Sequence, residues 1–174
     1  MDKNYKLLAI IGKSGAGKDS IFNTITLNPT YKIKNAHRVV GVTTRPMREN
    51  EEEGKDYYFI SPSDFYALEH SGALFGVSNF RGWLYGTCFE HLDPNKINIG
   101  VFDPDRINDI MDNNPEIDLR VVNIMVSDKE RILRQLNREA NPDVDEIVRR
   151  YNAEKSEWNN CHFDVIPLFN NTAE

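Results

Sequence analysis

The chain has only two cysteines, Cys88 and Cys161, and their spacing suits no zinc or iron–sulfur site. A disulfide framework is therefore excluded as the basis of stability, and two reduced thiols in a cytoplasmic protein are expected. No apolar run approaches the roughly 20 residues that a membrane span needs. Basic residues are in deficit: 21 Lys and Arg stand against 27 Asp and Glu, giving a net charge of −6. That balance excludes general affinity for nucleic acid, so any anion site must be a local basic cluster. The four histidines, His37, His70, His91 and His162, are scattered and suggest no metal or nucleophile constellation. Repeats, low-complexity tracts and linkers are missing. The first six residues lead directly into an apolar strand, which is not the pattern of a signal peptide. At 174 residues, the chain can bury one good core and carry a mobile subdomain.

What is present is a glycine loop in an informative setting. Gly12-Lys13-Ser14-Gly15-Ala16-Gly17-Lys18-Asp19 fits a phosphate-binding P-loop at every position but the last. Leu7-Leu8-Ala9-Ile10-Ile11 before it reads as a buried strand, and Ile21, Phe22 and Ile25 after it recur at helical spacing. Glycines let backbone N–H groups surround phosphate oxygens, and the helix N-terminus adds partial positive charge. Lys18 would reach the outer phosphates. Asp19 stands where a Ser or Thr would touch Mg²⁺, and Ser20 follows it.

Strand-like and helix-like runs alternate along the rest of the chain, which predicts an α/β fold with a central, mainly parallel sheet. Strands are expected at Val39–Thr43, Tyr57–Ile60, Asn98–Phe102, Leu119–Val126 and Phe163–Phe169. Ser61-Pro62-Ser63-Asp64 predicts a capped helix with Phe65 and Leu68 on its apolar face and Gly72 at its end. Ile107, Ile110 and Met111 suit another. Ser127 to Glu130 forms a capping box for a helix carrying Ile132, Leu133 and Leu136. Asn141-Pro142-Asp143 starts a last helix with Val144, Ile147, Val148, Tyr151 and Trp158 on one face.

A second constellation lies at Thr43-Thr44-Arg45-Pro46-Met47-Arg48 and Gly54-Lys55-Asp56-Tyr57-Tyr58-Phe59. Arg45 and Arg48 can converge on one phosphate through paired hydrogen bonds. Glu49, Glu51, Glu52 and Glu53 between them read mostly as a solvated face. Taken in order, the P-loop, the TTR run, the second arginine, DYxF, Tyr85-Gly86-Thr87 and a strand ending in Asp103 and Asp105 closely resemble the guanylate kinase family.

The resemblance runs from about Lys6 to about Asn170. It implies a P-loop kinase three-layer fold, with an inserted acceptor-binding subdomain at about 37–96, a helical lid at about 128–150 and a core from 1–36, 97–127 and 151–174. It implies phosphorylation of GMP or dGMP by ATP with Mg²⁺, in a cytoplasmic monomer or homodimer with no nucleic-acid or membrane partner. By resemblance, Arg45, Arg48 and Tyr57 hold the acceptor phosphate, and Glu51 matches an acidic position near the reaction centre. Tyr85 and Thr87 belong to the acceptor pocket, and Asp105 reads the base. Asp103, with Asp19, lies near the metal. Arg134, Arg138, Arg149 and Arg150 supply lid arginines. Arg138 and Arg150 align together only across a one-residue gap, so the choice among the four stays open.

Departures from the pattern bear on specificity. Gly76 stands at a family Glu that accepts hydrogen bonds from guanine, and Gly41 stands at a family Ser that contacts the base. Losing these readers should relax guanine preference, and Gly76 is expected to leave room for a larger base. A modified deoxynucleotide or ribose 1,5-bisphosphate is an alternative acceptor. A non-catalytic binding module is the alternative from another class, opposed by the intact Gly17-Lys18 and arginine set.

Overall fold

The computed structural model describes residues 5–49, 51–138, 140–158, 161 and 163–171. Its strands are β1 (Tyr5–Ile11), β2 (Ala36–Arg38), β3 (Val42–Thr43), β4 (Tyr58–Phe59), β5 (Leu74–Phe80), β6 (Trp83–Cys88), β7 (Ile97–Val101), β8 (Ile117–Met125) and β9 (Ile166–Phe169). Its helices are α1 (Lys18–Leu27), α2 (Pro62–His70), α3 (Pro104–Asn113), α4 (Asp128–Leu136) and α5 (Val144–Glu157).

One sheet has the order β2-β7-β1-β8-β9, and every pairing in it is parallel. β1 is central and feeds both faces. Leu7, Ala9 and Ile11 join Ile107 and Ile110 of α3 on one side, while Ile10 joins Phe22 of α1 on the other. A strand buried on both faces reads as a continuous apolar run, which is why Leu7–Ile11 was legible without alternation. The P-loop leaves the C-terminal end of β1, the edge of a parallel sheet where ligand crevices form.

A smaller mixed sheet, β4-β3-β6-β5, is drawn from residues 42–88. Val42, Phe65, Leu74 and Cys88 form its separate core beneath α2. Ser61 caps α2, its hydroxyl accepting from Asp64 N at 3.1 Å, as its sequence predicts.

The single strand expected at Val39–Thr43 is two. Val39 N still bonds Ile99 O in the parallel sheet at 2.8 Å, but Gly41 O already accepts from Tyr58 N at 2.9 Å in the smaller one. The chain therefore crosses between sheets at Val40–Gly41. A side chain is excluded there, because a Cβ on Gly41 would fall 2.9 Å from the Gly86 carbonyl oxygen.

The two helices after β8 also differ from their apolar reading. Leu133, Val144 and Val148 are exposed, and among the described residues of these helices the buried ones are Arg131 and Glu154. These helices cover the P-loop backbone, so the covering face has to be polar to satisfy it. No helix among the described residues is long and apolar enough to cross a membrane.

Candidate active site

Backbone geometry builds the donor loop. Gly15 (φ +80°) and Gly17 (φ +89°) take left-handed conformations that glycine adopts without strain, and Gly17 is the N-cap of α1. A Cβ on Gly15 would collide with the Arg131 carbonyl of α4. Ala16 N closes the turn onto Lys13 O at 3.0 Å. Lys18 folds back over the loop and donates through Nζ to Gly12 O at 2.6 Å and Lys13 O at 3.4 Å. Burial pulls the Lys18 amine below its usual pKa, against the opposing pull of Asp19 and Glu154. Asp19 and Ser20 are exposed on the first turn of α1.

A clamp of side chains closes over this loop. Ser14 N donates to Glu154 Oε1 at 2.6 Å, and Arg131 Nη1 holds Glu154 Oε2 at 2.7 Å. Gln135 Nε2 reaches Ser14 O at 3.4 Å, while Asn170 Nδ2 donates to Ala16 O at 2.9 Å. Arg134 bonds Glu130 and Asn170 O, each at 2.6 Å. The clamp residues Arg131, Glu154 and Asn170 were missed in the sequence. A signal for Glu154 existed: Ile147, Tyr151, Glu154 and Trp158 share the stripe of an amphipathic helix, and a carboxylate inside such a stripe needs a partner.

On the acceptor side, Glu51 organises both arginines. It accepts from Arg45 Nη1 and Nη2 at 2.9 and 2.7 Å, and from Arg48 N at 2.8 Å. Burial alone would raise the Glu51 pKa, but these hydrogen bonds bring it below the usual carboxylate range. A cavity of 260 Å³ joins the parts: Arg45, Arg48 and Tyr85 face Ser14 of the P-loop and Arg149 and Arg150 of α5. Arg149 and Arg150 are both held by Glu146, Arg150 Nε at 2.7 Å. Arg138 lies exposed just past α4 and does not line this cavity.

A neighbouring cavity of 230 Å³ extends the site toward α3, lined among others by Lys18, Tyr57, Tyr85, Asp103 and Asp105. Tyr57 packs edge-on against Tyr85 with ring centres 5.9 Å apart. Burial pushes the Tyr57 hydroxyl up to about 12, so it remains a neutral donor. Asp103 caps α3 by accepting from Arg106 N at 2.9 Å, and burial raises its pKa despite that arginine. Thr87 is buried, and its hydroxyl accepts from Arg106 Nη2 at 2.5 Å. The room expected at Gly76 is filled. A Cβ there would meet the Ile110 side chain at 3.1 Å and Phe102 at 3.6 Å, and the residue has φ +57°. A register shift between Phe75 and Ser78 accompanies that conformation.

Comparison with known proteins shows the family of the chain. The family model described as guanylate kinase matches residues 4–174. The chain belongs to the guanylate kinase family. A guanylate kinase of Malacoplasma penetrans is 27% identical over 176 residues, covering 95% of this chain and 86% of that protein. One of Thermotoga maritima is 39% identical over 82 residues, covering 47% of this chain and 38% of that protein. The solved guanylate kinase of Anaplasma phagocytophilum superposes with a TM-score of 0.62 at 18% identity, over 96% of this chain and 78% of its own, a likeness of fold. Membership of the guanylate kinase family makes the chain a phosphotransferase with a phosphate group as acceptor.

Asp19 and Asp103 lie close enough to act electrostatically on both Lys18 and Tyr57. Carboxylates flanking a phosphate-binding lysine suit Mg²⁺, which prefers oxygen ligands.

Proposed function

We propose that this chain transfers the γ-phosphate of ATP to a nucleoside monophosphate, with GMP and dGMP as the first acceptors. The observation that carries the reading is the 260 Å³ cavity in which P-loop Ser14, acceptor-side Arg45 and Arg48, and Arg149 and Arg150 of α5 meet. Cationic groups from the acceptor side and from α5 would there meet the P-loop around one transferred phosphoryl group.

The acceptor is already an anionic nucleophile, so the protein needs no acid, base or covalent residue. Its work is to hold two repelling anions in line and to neutralise charge. Residues Gly12 to Ser20 and Lys18 Nζ would cradle the ATP phosphates. Asp19 and Asp103 would hold Mg²⁺, which supplies charge neutralisation at the donor phosphates when bound. Arg45, Arg48 and Tyr57 would grip the acceptor phosphate, with Glu51 keeping the arginines oriented. Tyr85, Thr87 and Asp105 would line the base. Residues 37–96 act in this reading as the acceptor-binding part and residues 128–150 as a lid. Arg150, with Arg138 carried in on closure, would exclude water from the γ-phosphate.

Glu154 gives the cycle its first step. Its carboxylate holds the Ser14 N–H that a phosphate oxygen would use, so donor binding requires α5 to release it. The reading is tested by ADP release from ATP and Mg²⁺ across ribo- and deoxynucleoside monophosphates and sugar phosphates. Acceptor-dependent turnover that falls with Lys18→Ala supports it, and the absence of turnover with every acceptor overturns it.

A further inference from the structure

Arg106 is the most deeply buried cation near the acceptor cavity, with 2% of its surface exposed. It stands on the first turn of α3, between the two glycines that interrupt the smaller sheet. Its Nε donates to Gly76 O at 2.7 Å and its Nη2 to Thr87 Oγ1 at 2.5 Å. Its Nη1 lies 3.7 Å from where a Gly41 Cβ would sit, beside the Tyr57 ring. The guanidinium lies over the Phe102 ring, 4.4 Å from its centre.

The pairing of this cation is incomplete. A guanidinium carries five N–H donors. Among the described residues, the Arg106 side chain makes two hydrogen bonds, both to uncharged oxygens, and none to a carboxylate. Nη1 has no hydrogen-bond partner among them. A buried arginine without a carboxylate fork is costly unless its remaining donors meet a ligand. Arg106 also lines the 230 Å³ cavity, alongside Tyr57, Tyr85 and Asp105. The glycines on either side have no side chains to compete with it, and neither tolerates one readily. Gly41 is blocked by the Gly86 carbonyl, and Gly76 has positive φ against Ile110.

The geometry points to Arg106 as the residue that sorts acceptor bases by their keto groups. This rests on the cavity holding a nucleoside monophosphate, as proposed above. A guanidinium only donates, so it pairs with a carbonyl oxygen or a lone-pair nitrogen and repels an amino group. The pairing of arginine with the O6 and N7 of guanine is the same chemistry. A 6-keto purine or 4-keto pyrimidine therefore fits, and a 6-amino purine or 4-amino pyrimidine does not. Gly76 offers no acceptor side chain, so Asp105 is the carboxylate left to accept from a purine 2-amino group.

The test is equilibrium binding by calorimetry, which does not depend on turnover. The probes are IMP against AMP and dUMP against dCMP, with the wild type, Arg106→Met and Arg106→Lys. Wild type should bind the keto member of each pair about tenfold or more tightly. Arg106→Met should bring each keto–amino pair within about threefold. Arg106→Lys keeps the charge without the planar fork and should lose part of the preference. It carries the test if the Met variant does not fold. The proposal is overturned by preference for an amino base, by failure of all the nucleotides to bind, or by a keto preference that survives both substitutions. Binding without ADP production would sink the kinase reading and leave this one standing.

Discussion

The backbone N–H of Ser14 donates to Glu154 Oε1 at 2.6 Å, so a carboxylate of α5 sits on a phosphate-binding amide of the P-loop. The same carboxylate anchors Arg131 at 2.7 Å. Both side chains are nearly inaccessible, at 2% and 8% exposure, which makes the pair a buried one. Glu154→Ala should therefore cost about 1–3 kcal/mol of stability in urea unfolding, because it leaves Arg131 with only the half-exposed Asp128 carboxylate, 2.7 Å from Nε. Glu154→Gln keeps the shape and removes the resident negative charge. It should bind tripolyphosphate more tightly than wild type in calorimetry; equal or weaker binding would show that Glu154 does not compete with phosphate.

Among the described residues, Lys18 bonds loop carbonyls alone, Gly12 O at 2.6 Å and Lys13 O at 3.4 Å, and its amine can exchange them for phosphate oxygens. Lys18→Ala should lower kcat/KM by about 10³-fold. Its thermal midpoint should stay within a few degrees of wild type. Retained turnover would remove the P-loop from the chemistry.

Glu51 ties Arg45 to Arg48, and its pKa lies below the usual 4.5. A carboxylate with a depressed folded pKa stabilises above its unfolded value, and that contribution disappears as pH falls through the folded value. Glu51→Gln should thus lower the melting temperature at neutral pH, with the gap to wild type closing as pH falls below the usual carboxylate range. A gap that stays constant with pH would mean the pair adds nothing through ionisation.

Gly76 and Gly72 separate backbone strain from crowding. Both have positive φ, at +57° and +70°, but a Cβ at Gly76 meets Ile110 at 3.1 Å while Gly72 has nothing within 4 Å. Gly72→Ala should cost about 1 kcal/mol and Gly76→Ala about 2–3 kcal/mol in urea unfolding. Equal losses would show that Ile110 moves aside freely.

How far the fold could be read from sequence depended on which signals were local. β1, the P-loop and α1 announce themselves through an apolar run, glycines and helical spacing. The Ser61 cap of α2 and the Ser127 cap of α4 do so through single hydroxyls. The break at Val40–Gly41 is not local, because it is imposed by the Gly86 carbonyl on another strand. The polar face of α4 and α5 is hidden for a similar reason. Leu133 and Val148 look like core residues until the P-loop backbone, distant in sequence, claims that face for Arg131 and Glu154. Arg106 escaped notice because a lone arginine after Asp103 and Asp105 reads as surface, and its burial follows from glycines 30 and 65 positions away.

The most direct measurement is steady-state ADP release from ATP and Mg²⁺ with and without each nucleoside monophosphate, for wild type, Lys18→Ala and Arg45→Ala. The donor and acceptor halves of one cavity predict acceptor-dependent turnover in wild type and a loss of about 10²-fold or more in each variant. Turnover independent of any acceptor, or retained in both variants, would contradict phosphoryl transfer at this site.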